Sequence, residues 1–248
     1  MSPLRSAIVA QIVSGLVVFV ASASAIPAAL DHPLLMAAAQ GLLAAAIAAA
    51  LRAPAWWLPI HLGFMPLVVV AGRLDIAPGW YLLAFLLTLA IFWRTDRSQV
   101  PLYLSNRRTA AAVATLLPAA PCWIIDLGSG DGSLLRQLAK VRPDCRFLGI
   151  EHAPLPWLWS RLTAARLANC EIKRGDFWRQ PLDSFDVVYA FLSPAPMQAL
   201  WLKTRTEMKP LSLLISNSFP IPGVTPENTL EVADRRQTNL FCYRPGGQ

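Results

Sequence analysis

The chain has 248 residues, of which 55% are hydrophobic and 15% charged, and its formal net charge is +7. Its mean hydropathy of +0.44 is typical of a protein with bilayer-embedded segments and argues against a wholly soluble domain. The four cysteines are widely spaced and the three histidines scattered, so the sequence predicts neither a disulfide framework nor a metal site. Because no basic run interleaved with aromatic residues is present, we attribute the positive charge to a membrane surface rather than to nucleic acid.

The first part of the chain is predicted to be a transmembrane region. Up to Trp93 it contains only three basic and two acidic residues. A helix needs ~20 apolar residues to cross the hydrocarbon core. Four apolar stretches come close to this length and are separated by short breaks with proline or charge: 7–26, 33–51, 56–72 and 78–93. Tryptophan and tyrosine residues near their ends are typical of the headgroup level. We therefore expect about four membrane helices within residues 1–93.

The distribution of Lys and Arg predicts the orientation of these helices. Arg5, Arg52 and the arginines between positions 94 and 108 fall on one side, whereas the loops on the other side carry Arg73 and two aspartates. The first side is predicted to be cytoplasmic, so the N-terminus and the catalytic domain of an integral inner (plasma) membrane protein would be cytoplasmic. Residues 1–25 also resemble a cleaved signal peptide, but the three remaining spans would leave the domain on the same side.

After a linker at residues 94–121, the pattern changes to alternating strands and helices over residues 122–248. The predicted elements are a strand at 122–127, a helix at 133–141, a strand at 146–150, a helix at 155–168, strands at 171–174 and 185–190, a helix at 195–208, a strand at 211–216 and a hairpin at 229–232 and 239–243. This alternation predicts an α/β domain with a Rossmann-like, doubly wound sheet.

A glycine-rich turn follows the first strand of this domain. Asp126 lies at the strand end, and the turn contributes Gly128, Ser129, Gly130 and Gly132. Glycines let the backbone approach a ligand without obstruction by side chains, and the first amides of the next helix would be free to bind it. Because ligands of such sheets bind beyond the carboxyl ends of the strands, we expect these residues in a binding site.

Acidic residues also follow the next two strands. Glu151 ends the second strand, where its carboxylate could accept both hydroxyls of a ribose. Asp176 and Phe177 follow the third strand, suited to hold an adenine amino group and to stack on its ring. Each acid alone could be a solvated loop end, but acids at three successive strand ends predict a nucleoside site.

The spacing of the glycines distinguishes between nucleosides. The dinucleotide fingerprint Gly-x-Gly-x-x-Gly would need a glycine at position 133, where this chain has Ser133. Glycines at 128, 130 and 132, with Asp126 before them, instead resemble motif I of class I methyltransferases. That resemblance implies S-adenosylmethionine as the methyl donor and no metal.

A narrower resemblance is carried by residues 126–132, 151–154, 175–178 and 218–222. They are similar to motifs of the membrane-associated, seven-β-strand lysine methyltransferases that modify the ATP synthase c subunit and the adenine nucleotide translocase, together with their bacterial relatives. The resemblance implies a lysine of a membrane protein as acceptor and contacts from His152 to the adenosine. It also implies that residues 100–105, including Tyr103, cover the bound cofactor. These relatives usually have one hydrophobic segment, whereas this chain has four.

Two interpretations of the segment after the fourth strand stay open. Other amino-methylating enzymes often carry an Asp/Asn-Pro-Pro-aromatic motif there, whereas this chain has Phe191, Leu192, Ser193 and Pro194. In the catalytic interpretation, Phe191 packs against the reacting methyl group and Ser193 or neighbouring carbonyls orient the amine. In the structural one, the segment is a turn in which Pro194 begins a helix.

Three functions are compatible with this sequence. The leading hypothesis is a membrane-anchored protein-lysine N-methyltransferase, whose partners would be the bilayer and a membrane-protein substrate. The second keeps the chemistry but replaces the acceptor with a lipid or quinone headgroup. The third is a non-catalytic, membrane-bound nucleoside sensor, against which the intact set of Asp126, Glu151 and Asp176 argues.

Overall fold

The computed structural model describes residues 3–24, 32–74, 76–91, 93 and 103–247. The chain divides into two compact units, residues 1–81 and 82–248. Four helices come first: α1 (Pro3–Ser24), α2 (Pro33–Ala50), α3 (Trp57–Arg73) and α4 (Pro78–Ile91). Among the described residues, α1 over Leu4–Ser22 and α2 are long and apolar enough to cross a membrane, whereas α3 and α4 are shorter apolar helices. The end of the predicted first span, residues 25–26, lies outside the described residues, as do residue 92 of the fourth and residues 94–102.

The first unit buries small and polar side chains and exposes large apolar ones. Its buried positions are Ser6, Ala7, Ala10, Ser14, Ala37, Gly41, Ala44, Ala48 and His61. The exposed side chains on α1 and α2 include Leu16, Phe19, Val20, Leu35 and Leu42. A water-soluble bundle has the opposite arrangement, because large apolar side chains then fill the interior. Small residues between the helices and large apolar ones outside them are typical of helices packed within lipid.

Gly41 sets the distance between α2 and α3. A Cβ atom added at Gly41 would lie 2.8 Å from the carbonyl oxygen of Leu62 and 3.0 Å from that of His61, both backbone atoms of α3. Nδ1 of the His61 ring accepts a hydrogen bond from the Gln11 side-chain amide at 3.0 Å, which ties α1 to α3. The bundle therefore combines close backbone approach with a polar contact inside an apolar exterior.

Replacing Gly41 with alanine is expected to destabilise the bundle by about 1–3 kcal/mol, because α3 would have to move away from the added methyl group. Gly63→Ala is the matched control: its Cβ would meet only Leu67 Cδ1 at 3.8 Å, an ordinary contact. The control should keep or raise stability, since alanine favours helix over glycine by about 0.5–1 kcal/mol. Thermal unfolding of the full chain in detergent measures the stability of both variants. Equal stability changes for Gly41→Ala and Gly63→Ala would contradict the close approach of α2 and α3 at Gly41.

The second unit contains a seven-stranded mixed sheet. Its strands are β1 (Trp123–Leu127), β2 (Arg146–Glu151), β3 (Cys170–Arg174), β4 (Val187–Ala190), β5 (Leu213–Asn217), β6 (Asn228–Val232) and β7 (Thr238–Tyr243), in the order β3-β2-β1-β4-β5-β7-β6. β1 to β5 are parallel, and β7 pairs antiparallel with both β5 and β6. The predicted Rossmann-like sheet is thus present, and the predicted terminal hairpin forms its antiparallel edge.

Helices cover both faces of this sheet: α5 (Arg107–Leu116), α6 (Ser133–Val141), α7 (Pro154–Ala164) and α8 (Met197–Glu207), with short 3₁₀ turns at Phe177–Arg179 and Pro245–Gly247. One core lies beneath α5, α6 and α7 and the other beneath α8. β1 is buried on both faces, because Ile124 packs in the first core and Ile125 in the second. This double burial explains the continuous apolar run of the strand.

Three predictions of local structure were wrong. The helix predicted at 155–168 ends at Ala164 in α7. Residues 107–116, assigned to a linker, form α5, which the side chain of Asn106 caps by accepting a hydrogen bond from Thr109 N at 2.9 Å. Helix α8 begins at Met197 rather than at residue 195, because Pro196 biases Ala195 away from helical backbone angles. Pro194 lies in the turn before α8 and does not begin the helix.

Candidate active site

The carboxyl ends of β1 to β4 meet at one edge of the sheet. Leu127 at the end of β1 pairs with Ile150 in β2 and with Ala190 in β4, and Glu151 pairs with Arg174 in β3. This register brings the residues after all four strands to the same edge. The structure therefore places the sequence-predicted site residues of β1 to β4 where ligands of doubly wound sheets bind.

The turn after β1 needs its glycines for conformational reasons. Gly128, Gly130 and Gly132 have φ values of +81°, +55° and +69°, a left-handed region that side chains with a Cβ rarely adopt. At Gly132 a Cβ would also lie 2.9 Å from Ser160 Cβ of α7. The turn therefore owes its shape to glycine, and it lies between the start of α6 and the middle of α7.

Most amides of this turn are paired with protein acceptors, and so is Ser133 N, the first amide of α6. Gly128 N and Ser129 N donate to the carbonyl of Ile150 at 2.9 and 3.0 Å, Gly132 N donates to Ser129 O, and Ser133 N donates to the Asp131 carboxylate. A phosphate-binding turn presents its amides to the ligand. The pairing here disfavours a pyrophosphate and agrees with a nucleoside ligand that lacks one.

Glu151 links the turn to the next helix. Its carboxylate accepts a hydrogen bond from Gly130 N at 2.8 Å and another from Ala153 N at 2.7 Å, and the side chain is buried. Each oxygen keeps a lone pair that could accept a ribose hydroxyl. His152, next to it, is half-buried.

Asp126 is a buried carboxylate at the bottom of the site, with 3% of its surface exposed. Burial raises the pKa of Asp126 well above its usual range, and the neighbouring Glu151 and Asp131 carboxylates raise it further. A cationic ligand would reverse this effect, since an opposite charge favours the ionised form. The cluster of acids thus favours a positively charged ligand.

The end of β3 contributes Asp176 and Phe177. The Asp176 side chain is exposed and accepts a hydrogen bond from Trp178 N at 3.0 Å, which begins the short 3₁₀ turn. Phe177 is half-buried, packs against the core beneath α8 and contacts the Trp178 ring at 4.8 Å. One carboxylate oxygen of Asp176 is thus used locally, and the other has no protein partner among the described residues.

An aromatic cluster lies beyond β4. The ring of Tyr103 stacks on Phe191 with 4.8 Å between centroids and lies 5.8 Å from the ring of Phe219. The sequence assigned Tyr103 to a cofactor-covering segment and Phe191 to the reacting end, and the structure brings the two together. Phe219 had been noted only as part of a motif, and its place beside Tyr103 was missed because it depends on long-range packing.

A buried hydrogen-bond network lies next to this aromatic cluster, at the ends of β4 and β5. The buried Tyr189 hydroxyl shares a hydrogen bond with Ser105 at 2.9 Å and accepts one from the Asn217 amide at 2.6 Å. Burial raises the pKa of Tyr189, so the phenol stays protonated. The network fixes the segment after Tyr103 across the ends of β4 and β5, and no sequence motif pointed to it.

Two buried hydroxyls near the turn have no hydrogen-bond partner among the described residues: Ser129 Oγ and Ser193 Oγ. The adjacent Leu192 would contact a Cβ at Gly128 at 3.4 Å, which places the segment after β4 against the turn after β1. Unpaired buried hydroxyls are costly, so they point to a missing polar ligand. Among the described residues, no three His, Cys, Asp or Glu side chains form a possible metal site.

Comparisons with known proteins show which methyltransferases this domain resembles. Residues 126–228 match the family described as ANTKMT methyltransferase domain, which confirms the resemblance inferred from the motifs. The chain is 33% identical over 138 residues to the adenine nucleotide translocase lysine N-methyltransferase of Mus musculus, covering 52% of this chain and 58% of that protein. It is 36% identical over 64 residues to the release factor glutamine methyltransferase of Escherichia coli (strain K12), covering 25% and 23%. The chain thus spans less than two thirds of either relative.

A solved structure confirms the fold. The crystal structure of an RNA methyltransferase from Salinibacter ruber in complex with S-adenosyl-L-homocysteine aligns with 59% of this chain and 95% of its own, with a TM-score of 0.54 and 21% identity. The second unit therefore has a class I methyltransferase fold.

Replacing Asp126 with asparagine is expected to stabilise the ligand-free protein at neutral pH. Because the folded-state pKa is raised, ionisation opposes folding: stability is greatest below the unfolded-state pKa and is lost as pH rises towards the folded-state value. The uncharged amide avoids the free-energy cost of ionising Asp126 in the folded state. For each kcal/mol gained in the free energy of unfolding, the melting temperature at pH 7 should rise by about 2–4 °C. The gain should be smaller at pH 4. Thermal unfolding across pH tests this, with the exposed Asp183→Asn as control. A lower melting temperature at pH 7 would show that the carboxylate is stabilising.

Proposed function

We propose that the chain is an S-adenosylmethionine-dependent, membrane-anchored protein-lysine N-methyltransferase. The observation that carries this proposal is the edge formed by β1 to β4, where the glycine turn, Glu151 and Asp176 meet in a domain that matches a methyltransferase family. The acidic surroundings suit a ligand that carries a sulfonium and an ammonium group.

The residues present fit S-adenosylmethionine. Glu151 would accept the ribose hydroxyls, with His152 on the adenosine side. Asp176 would accept from the adenine amino group, with Phe177 against its ring. Asp126 would face the cationic part of the ligand, and the orphaned Ser129 hydroxyl would gain a partner. The paired amides of the turn support this ligand over a dinucleotide.

The methyl donor supplies an activated methyl group, so the protein mainly has to hold the acceptor nitrogen in line with it. The aromatic cluster of Tyr103, Phe191 and Phe219 would desolvate the acceptor amine, which lowers its pKa and favours the neutral, nucleophilic form. The buried Ser193 oxygen, which has no partner among the described residues, would accept an N–H of the amine and orient its lone pair. Pro194 would restrict the backbone of this segment where it turns towards α8.

The lysine acceptor is supported by the mouse relative, whose name describes lysine methylation of the adenine nucleotide translocase. Membrane anchoring is supported by the small and polar interior and the apolar exterior of the helical unit. With the Lys and Arg asymmetry, the catalytic domain and the N-terminus would face the cytoplasm. An anchored enzyme would meet membrane-protein substrates at a raised effective concentration.

The proposal is tested by incubating the full chain with methyl-labelled S-adenosylmethionine and membranes from cells that lack the protein. We expect label on lysine residues of one or a few membrane proteins, measured by mass spectrometry of peptides. Label in the organic extract instead would identify a lipid or quinone acceptor. Binding of S-adenosylmethionine without transfer to any component would favour a sensor, and absence of binding would contradict the cofactor assignment.

Glu151→Gln is expected to weaken S-adenosylmethionine binding about tenfold to a hundredfold, because an amide NH₂ cannot accept the hydrogen bond that Gly130 N or Ala153 N donates. Calorimetry on the full chain in detergent measures the Kd. The matched control is Glu231→Gln on the exposed surface of β6, which should leave the Kd unchanged. If the Glu151 variant bound S-adenosylmethionine with the same Kd as the unchanged chain, Glu151 would not belong to the cofactor site.

Ser193→Ala and Phe191→Ala are expected to lower kcat roughly a hundredfold while leaving the Kd for S-adenosylmethionine within a factor of about two, because they would misplace the acceptor and not the donor. Ser184→Ala, on an exposed turn, is the control for the hydroxyl deletion. Full turnover of both variants, with loss of binding on Glu151→Gln, would favour the structural interpretation of the segment after β4.

A further inference from the structure

Helix α7 presents three large apolar side chains to solvent. Leu158, Trp159 and Leu162 are 44%, 59% and 65% exposed. Leu158 and Leu162 are four residues apart and Trp159 is three before Leu162, so they share one face of the helix. We call this face, together with the cations described next, the α7 surface. Isolated exposed apolar residues are common, but a group on a single helix face indicates a contact.

Cations line an open pocket beside this apolar face. Arg161 and Arg174 lie over the ring of Trp157, with guanidinium carbons 5.4 and 5.9 Å from its centroid. Lys173 also lines the pocket, which has a volume of about 480 Å³. The one acidic residue in the lining is Glu171, which pairs with Lys173 at 3.5 Å. The pocket therefore combines an aromatic wall with an excess of positive charge.

Protection of an edge strand explains only part of this arrangement. β3 is the edge of the sheet, and its exposed charges hinder pairing with another chain. That role accounts for Glu171 and Lys173 but not for exposed tryptophan and leucine on α7. On the opposite face of the sheet, α8 exposes a single large apolar side chain among the described residues, Leu202, whereas α7 exposes three. A group of exposed apolar side chains, together with Arg161 and Arg174 beside Trp157, thus distinguishes the α7 surface.

We propose that the α7 surface docks the catalytic domain onto an anionic membrane surface. Leu158, Trp159 and Leu162 enter the boundary between headgroups and acyl chains, where tryptophan is favoured. Arg161, Lys173 and Arg174 bind the lipid phosphates. The inference rests on the proposed membrane anchoring, which would keep the domain near the bilayer, but it concerns a separate part of the chain.

A fluorescent label at position 162 tests this docking in the full chain. The variant carries Leu162→Cys, labelled with an environment-sensitive dye, and Cys170→Ser, because the other three native cysteines are buried. It is reconstituted into vesicles of phosphatidylcholine alone or of phosphatidylcholine with phosphatidylglycerol. With phosphatidylglycerol, we expect emission at shorter wavelength, quenching by spin-labelled lipid and protection from aqueous iodide. The same dye on Leu202→Cys should stay open to iodide in both vesicles.

Neutralising the three cations tests whether lipid binding is what protects the dye at position 162 from iodide. Arg161→Gln, Lys173→Gln and Arg174→Gln together should reduce the docked-to-free ratio in phosphatidylglycerol vesicles roughly a hundredfold. Iodide quenching at position 162 equal to that at 202 in both vesicles would overturn the proposal. Protection that appears only after a membrane protein is added would assign the surface to a protein partner and would overturn it as well.

Two further readings on the same sample distinguish this proposal from the proposed function. Resistance to alkaline carbonate extraction reports the anchor, and calorimetry with S-adenosylmethionine reports the cofactor site. A chain that stays in the bilayer and binds the cofactor, but leaves the dye at position 162 in water, contradicts docking alone. A chain that is extracted by carbonate, yet had shown lipid quenching at 162, contradicts the anchor and supports docking.

Discussion

The carboxylate of Glu151 joins the parts of the chain from which the site is built. It accepts a hydrogen bond from Gly130 in the turn after β1 and another from Ala153, the residue that caps α7. A charged acceptor shared by two amides makes strong hydrogen bonds in a buried position. The turn, the end of β2 and the start of α7 therefore keep one arrangement, and the ligand meets a site that is already formed.

The acidity of this site has an energetic cost in the ligand-free protein. Asp126 is buried near Glu151 and Asp131, and its raised pKa shows that the ionised form is disfavoured. A fold optimised only for stability would place an apolar residue there, since the other buried positions of β1 are Ile124, Ile125 and Leu127. The proposed cationic ligand would recover part of this cost. Asp126 thus lowers the stability of the ligand-free protein, and the same carboxylate would make the site selective for a positively charged ligand.

The sequence predicted the elements whose signals are local. Helix α6 begins and ends at the predicted residues, since Gly132 precedes it and its apolar residues recur at helical spacing. The acids at three strand ends were placed at one edge, because parallel strands align their carboxyl ends. In contrast, α5 was missed because its capping residue Asn106 lay in a stretch read as linker. The pairing of Tyr189 with Ser105 and Asn217 was missed because these partners are far apart in sequence.

The first turn of α7 connects the proposed membrane contact to the proposed active site. Ala153 donates its amide to Glu151 and precedes the first residue of α7, and the exposed leucine and tryptophan side chains begin at position 158, about one turn later. A helix held by such a hydrogen bond cannot rotate without releasing the carboxylate. Docking of α7 on lipid would therefore fix the direction of the sheet edge relative to the bilayer. For the proposed membrane-protein substrate, that direction would decide which lysines can reach the aromatic cluster.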